Sequence, residues 1–429
     1  MKFLSNLFKK DKEKFIIPKG VQDVIPIKRI WEDGIFLVGK NRYSKTFLFT
    51  DTNYIVASEE DKEAMFLDYM QMINSFETDL FVKISILNNK INSELIDNNI
   101  KIEFEKDRLD KFRQEYNKQI EIGAKSSNGI VQEKYLTITV VRKNLEDART
   151  AIRRVALELN KHFKKLNSVC VELDTNDKLR LLHNFYRQGE ESSFNFDMLA
   201  TMRKGHSFKD YICPDSFEFS KNSFRMGEKY GRVLFLKEYA SFIKDTMISE
   251  LTDISKNLML SIDVQPVQTD EAIKEAENRL LGIETNITNY IRKQAENNIY
   301  TSSIPFDLEK QREEAREFLN DLMTRDQRMF LATITIVHTA DSKEELDSDT
   351  ESLLATAGKH LCQLTKLRYQ QLEGLNTVMP SGVKRIKAKR TLTTESLSVF
   401  MPFKVQEIQD TQGIYYGKNI ISKNMILID

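Results

Sequence analysis

One stretch of the chain, Gly34-Ile35-Phe36-Leu37-Val38-Gly39-Lys40-Asn41, has the glycine and lysine spacing of a phosphate-cradling loop. In such a loop the glycines let backbone N–H groups turn towards phosphate oxygens. A lysine then reaches the outer phosphates, and a following Ser or Thr binds magnesium. Here the spacer is an apolar strand, Asn41 stands in place of the hydroxyl, and no helix follows, so a β-hairpin is expected. Gly358-Lys359 and Gly417-Lys418 lack both the upstream glycine and the hydroxyl. His162, His183, His206, His338 and His360 form no HxxxH or HExxH pair, and none has a cysteine at metal-ligand spacing. No metal site is expected. His206 and Cys213 stand near one another beside Pro214, where a Cys–His couple competes with an ordinary surface loop, the expected state.

Two surface candidates remain. Lys384, Arg385, Lys387, Lys389 and Arg390 crowd into Lys384-Arg385-Ile386-Lys387-Ala388-Lys389-Arg390. Such a run suits phosphates, of DNA or of a nucleotide nearby. It also suits a solvated loop that keeps an edge strand from aggregating, and no interleaved aromatic supports base stacking. At the start of the chain, Phe3, Leu4, Leu7 and Phe8 would share one helix face, with Lys2, Lys9, Lys10, Lys12 and Lys14 around it. A helix lying on a membrane surface is one reading, and a frayed, solvated terminus the other.

Composition narrows the class. The 429 residues are 41% hydrophobic and 30% charged, enough for two or three domains with cores of their own. Lys plus Arg and Asp plus Glu both number 64, so no net field draws the chain to nucleic acid or lipid. Cys170, Cys213 and Cys362 make no CxxC pair and fit a reducing cytosol. No apolar run approaches the roughly 18 residues of a bilayer span.

The elements that would position these residues follow from periodicity. Strands are expected at 35–38, 46–49, 81–86, 135–141 and 168–173. Ser58 and Asn144 read as N-caps, and the second opens a helix with Leu145, Ala148, Ile152, Val155, Leu159 and Phe163 on one side. A charged helical region is expected from about Ser93 to Ile122. The order then returns: a strand at 258–264, a charged helix pair from Asp270 to about Arg325 broken near Pro305, a strand at 330–337, a helix from Ser342, a strand at 362–367 and a helix ending before Pro380. The expected fold is α+β, with two related α/β lobes, each a sheet with helices on one face and a charged helical arm. The boundaries are a basic terminus and small β section (1–57), a first lobe (58–188), a connecting segment (189–231), a second lobe (232–380), and a basic loop with a β section (381–429). Leu397 to Met401, Tyr415 to Gly417 and Met425 to Ile428 are read as its strands.

In order along the chain, several of these stretches resemble the amino-terminal half of the conjugative type IV secretion ATPases, the VirB/TraC/TraE-like "fourth component" family, especially the forms on Gram-positive conjugative elements. They are Tyr43-Ser44-Lys45-Thr46-Phe47, Asp51-Thr52-Asn53-Tyr54, Ile73-Asn74-Ser75-Phe76 and Ile86-Leu87-Asn88-Asn89. Further on come Gly227-Glu228-Lys229-Tyr230-Gly231-Arg232-Val233-Leu234, Tyr416-Gly417-Lys418-Asn419 and Asn424 to Asp429. In that family a Walker A loop on a RecA-like motor follows shortly, whereas this sequence stops at Asp429 and reads as cut before it. The family's catalytic residues have no positions here, so ATP and magnesium are expected only of the motor. The resemblance implies a non-catalytic docking and assembly role: contact with channel subunits and with further copies of itself, in the cytoplasm and peripheral to the inner face of the membrane. A DNA-contacting accessory module is the alternative.

Overall fold

The computed structural model describes residues 18–90, 101–126, 130–240, 242–297, 304–407, 414–419, 422 and 424–428. A short helix α1 (Val21–Val24) leads into β1 (Arg29–Ile30), β2 (Phe36–Gly39), β3 (Arg42–Phe49), α2 (Glu59–Asn74) and β4 (Leu80–Lys90). Next come α3 (Asp110–Ser126), β5 (Ile130–Val141), α4 (Leu145–Lys165), β6 (Cys170–Glu172), α5 (Thr175–Tyr186) and α6 (Met198–Arg203). The second half runs β7 (Phe217–Phe219), β8 (Phe224–Met226), β9 (Lys229–Glu238), α7 (Met247–Thr252), β10 (Leu258–Pro266), α8 (Thr269–Glu296) and α9 (Phe306–Thr324). It continues through β11 (Met329–Ala340), α10 (Lys343–Lys359), β12 (Gln363–Lys366) and α11 (Gln371–Val378). The chain then adds β13 (Arg390–Thr393), α12 (Thr394–Ser398) and the hairpin β14 (Ile414–Lys418) and β15 (Met425–Ile428).

The fold is α+β, and thirteen strands make one sheet in the order β1-β2-β3-β5-β4-β10-β11-β9-β8-β7. On its flanks β6 pairs β3, β12 pairs β9 and β13 pairs β11. Reading outward from the central β4–β10 pair meets equivalent elements on either side: β5 and β11, β3 and β9, β6 and β12. That pair is antiparallel with Ile84 opposite Ile262, so an approximate two-fold axis passes between these two residues. Because β4 and β10 run in opposite directions, the insertion between β4 and β5 and the α8–α9 insertion between β10 and β11 leave opposite ends of the sheet.

Strand alternation sorts side chains onto two faces. Val82, Ile84, Leu136, Ile138, Ile262 and Ile334 turn to one face, under the apolar stripes of α2, α4 and α10. Asn144 caps α4 by accepting from the amide of Asp147, and Ala148, Ile152, Val155, Leu159 and Phe163 are all buried, as their spacing predicts. The second face carries the shorter α5 and α11, whose Leu179, Leu182 and Leu375 belong to a separate core cluster. Two element expectations change. In the first arm the expected start near Ser93 lies outside the described residues, while residues 101–109, expected helical, are irregular and the helix runs Asp110–Ser126; Arg113 gathers Glu105, Asp107 and Asp110 beside them. Leu397 opens no strand either. Thr393 accepts from the amide of Ser396 and nucleates α12, while Phe400, Met401 and Phe403 drop into the core.

Candidate functional site

The sheet's second face has an unusual centre. Thr46, Thr137, Lys83, Asp263 and Thr333 are consecutive cross-strand neighbours on β3, β5, β4, β10 and β11. All five are buried. A buried polar row is costly unless every group finds a partner, and a single loop supplies most of them. Residues 379–389, the tongue between α11 and β13, cross the row with their carbonyls facing it. Thr46 and Thr137 both reach the carbonyl of Pro380 at 3.3 Å. Thr139 donates to Gly382 at 2.9 Å, and Thr333 to Ala388 at 2.6 Å. At the end of α11, the Lys83 ammonium donates to the carbonyl of Thr377 and Ser261 to that of Val378. The Thr377 hydroxyl accepts from the amides of Arg385 and Ile386, which folds the tongue back on itself.

Gly382 is the point of closest approach. It adopts φ +83°, and a Cβ there would overlap Thr139 Oγ1 and stand 2.7 Å from Ser44 Cβ. Only glycine satisfies both the left-handed backbone and the space.

At the dyad, Lys83 Nζ lies 2.7 Å from Asp263 Oδ1, and the symmetry-related position holds the Ser85–Ser261 hydroxyl pair at 2.8 Å. Burial pulls the Lys83 ammonium below the usual lysine range, against the attraction of Asp263. Burial likewise lowers Lys384 to about 8, although Asp263 draws its charge the other way. Another buried cation, Lys178 of α5, sits 3.2 Å from Ser44 Oγ and 4.2 Å from the centre of the Phe36 ring. Its pKa is held well below normal by burial first and by Lys45 second.

The five cations singled out by sequence thus do not form one patch. Lys384 turns inward to Asp263, and Arg385 approaches Arg42, whose pKa falls through burial and that like charge. Lys387, Lys389 and Arg390 are exposed, with Arg390 5.7 Å over the Tyr239 ring and Lys389 drawn towards Glu275. Phe3, Leu4, Leu7 and Phe8 lie outside the described residues.

The weaker candidates resolve into architecture. Gly34 to Asn41 form the entry and turn of the β2–β3 hairpin, with Gly34 at φ +72° and the Leu173 carbonyl filling the place of a Cβ. The Cys213 thiol is buried, pushed up to about 11, and directed at the Val21 carbonyl, whereas His206 lies by Asp210. His338 is buried against Thr350 and lowered to about 3 by desolvation. Among the described residues no group of three or more His, Cys, Asp or Glu side chains could hold a metal ion. One open cleft of about 410 Å³ lies at the start of α5 and α6, lined by Glu32, Asp174, Asn195, Asp197 and Leu199. No helix among the described residues is long and apolar enough to cross a membrane.

Sequence reasoning missed the Lys83–Asp263 pair. Its signal was one lysine and one aspartate, each two residues from a serine on the same face of an alternating strand. No protein-family model matches the chain, and no curated protein matches it.

Proposed function

We propose that this chain is a non-catalytic docking and assembly unit, of the kind implied by its resemblance to conjugative type IV secretion ATPases. In that role it tethers a DNA-transfer motor to the membrane channel and to neighbouring subunits, on the cytoplasmic side and peripheral to the membrane. The observation that carries the reading is the pair of arms. One per lobe, they leave opposite ends of the sheet, and both hold large apolar side chains in solvent among charges. The first exposes Phe104, Leu109 and Phe112, and the second Leu281, Phe306 and Met323. Exposed apolar groups on charged elements suit partner contact better than they suit a free surface.

A photo-crosslinking residue placed at Phe112 and at Phe306 in the source cells is expected to capture membrane channel subunits. The same residue at exposed Leu157 on α4 serves as the control. Equal capture from all three positions, or none from either arm, rejects the docking role. Magnesium-dependent ATP turnover above background by the purified chain rejects its non-catalytic part. Lys387, Lys389 and Arg390, exposed together where the tongue returns to β13, favour a second reading as a DNA-contacting accessory module. Salt-dependent DNA retention that disappears when these three are made glutamine would promote it.

A further inference from the structure

The sheet is flanked by two equivalent short strands, β6 on β3 and β12 on β9, and they are finished differently. β12 has a register shift between Gln363 and Leu364 and ends on Lys366. A bulge and an edge lysine both discourage pairing with another chain. β6 has neither: its register against β3 is regular, and Val169 and Val171 are 61% and 53% exposed. Among the described residues no strand pairs its outer side. Thr50 donates to the Val169 carbonyl and Leu173 to that of Thr46. By alternation, the amides and carbonyls of Cys170 and Glu172 face outward.

We propose that the β6 edge is a self-association surface, where a second copy of this chain pairs antiparallel about a two-fold axis at Val171. The proposal rests on the assembly reading above and names its surface. The outward groups determine the register. Cys170 meets Glu172 of the second copy and the reverse, giving four ladder hydrogen bonds, while the two Val171 side chains face each other in a close, non-hydrogen-bonded pair. The axis repeats outside the molecule the antiparallel edge-to-edge join that β4 and β10 make within it.

Charge selects this arrangement. Antiparallel pairing of two β6 edges puts the Lys164 and Lys165 end of one copy beside the Glu172 and Asp174 end of the other, twice. Pairing β6 with β12 of another copy would instead set Lys164 and Lys165 beside Lys366 and Arg368. A three-residue strand alone falls short of the roughly 1,200 Å² that specific interfaces bury. The C-terminal end of α4 and the N-terminal end of α5, on either side of β6, therefore complete the contact.

Analytical ultracentrifugation of the full chain is expected to give a concentration-dependent species of twice 50.1 kDa. Val171→Lys opposes two ammonium groups at the axis and is expected to weaken the dimer at least about tenfold, with an unchanged circular dichroism spectrum. Thr365→Lys, at the matching place on β12, is expected to leave the dimer intact. In a Cys170→Ser background, Val171→Cys is expected to give a disulfide-linked dimer on mild oxidation, since Cα atoms so paired lie within disulfide range. A wild-type chain that stays monomeric when concentrated overturns the proposal. So does a dimer indifferent to Val171→Lys, a dimer split equally by Thr365→Lys, or a Val171→Cys chain that does not cross-link. Any of these with arm cross-links retained leaves the docking role standing; a dimer split only by Val171→Lys, with arm cross-links lost, does the converse.

Discussion

Lys83 and Asp263 meet at the approximate dyad, in a place that the symmetry-related position fills with two serines. Each charge is buried, so each depends on the other, and the Lys83 ammonium also donates to the carbonyl of Thr377. Removing one partner of such a pair typically costs about 3–5 kcal/mol, because an uncompensated charge stays behind. Asp263→Ala is therefore expected to lower the free energy of urea unfolding by about that much. The double variant Lys83→Met/Asp263→Leu leaves neither charge and is expected to cost less than the single one. A double variant that costs more would mean the ion pair is strongly stabilising in its own right, and would sink this account. None of this was legible in sequence. Phe81-Val82-Lys83-Ile84-Ser85-Ile86 alternates like a strand with one wet face, and only the register with β10 and the tongue reveals that this face is dry.

Among the elements, those with long apolar periods were the legible ones: α4, α10 and the α8–α9 pair broken before Phe306 all match their patterns. What escaped was short or held by distant partners, such as α12, which one hydroxyl cap initiates, and the tongue, whose hydrogen bonds go to strands far away in sequence. The two halves also serve as controls for one another. Where α4 gives way to β6 the chain turns through Asn167 at φ +54°, and where α10 gives way to β12 it turns through Leu361 at φ +55°. Asn tolerates the left-handed region and leucine does not, yet Leu361 holds its side chain 83% exposed, with no internal packing in return. Leu361→Asn is expected to stabilise the chain by about 0.5–1 kcal/mol, the scale of relieving one left-handed residue. Thermal unfolding checks it, with Asn167→Leu as the reciprocal variant expected to lose a similar amount. A destabilised Leu361→Asn would show that the leucine is anchored within the molecule after all.

Across the whole molecule, links in three layers tie the halves together. The first is the β4–β10 pairing from Leu258 opposite Asn88 to Val264 opposite Val82. The second is the tongue, which leaves the second half and hydrogen-bonds Thr46, Thr137 and Thr139 in the first. The third lies on the opposite side of the sheet. There Phe403 packs on Phe49 and Tyr69, and the amide of Lys404 donates to Asp51 while its ammonium reaches Asp253. Beyond it, the amide of Tyr415 on the β14–β15 hairpin donates to the Tyr116 hydroxyl on the first arm. Separating the halves would bare Lys83 and Ser85 on one side and Ser261 and Asp263 on the other, an unsatisfied polar strip along an open sheet edge. The chain is accordingly expected to unfold in one calorimetric transition, its van 't Hoff and calorimetric enthalpies equal, although its length would ordinarily permit two. A fragment of residues 1–215, which ends before β7 and so holds only strands of the first half, is expected to aggregate or to lack dispersed amide resonances when expressed alone. Two resolved transitions, or a monodisperse fragment with native-like dispersion, would show instead that the central strand pair is a contact between finished domains.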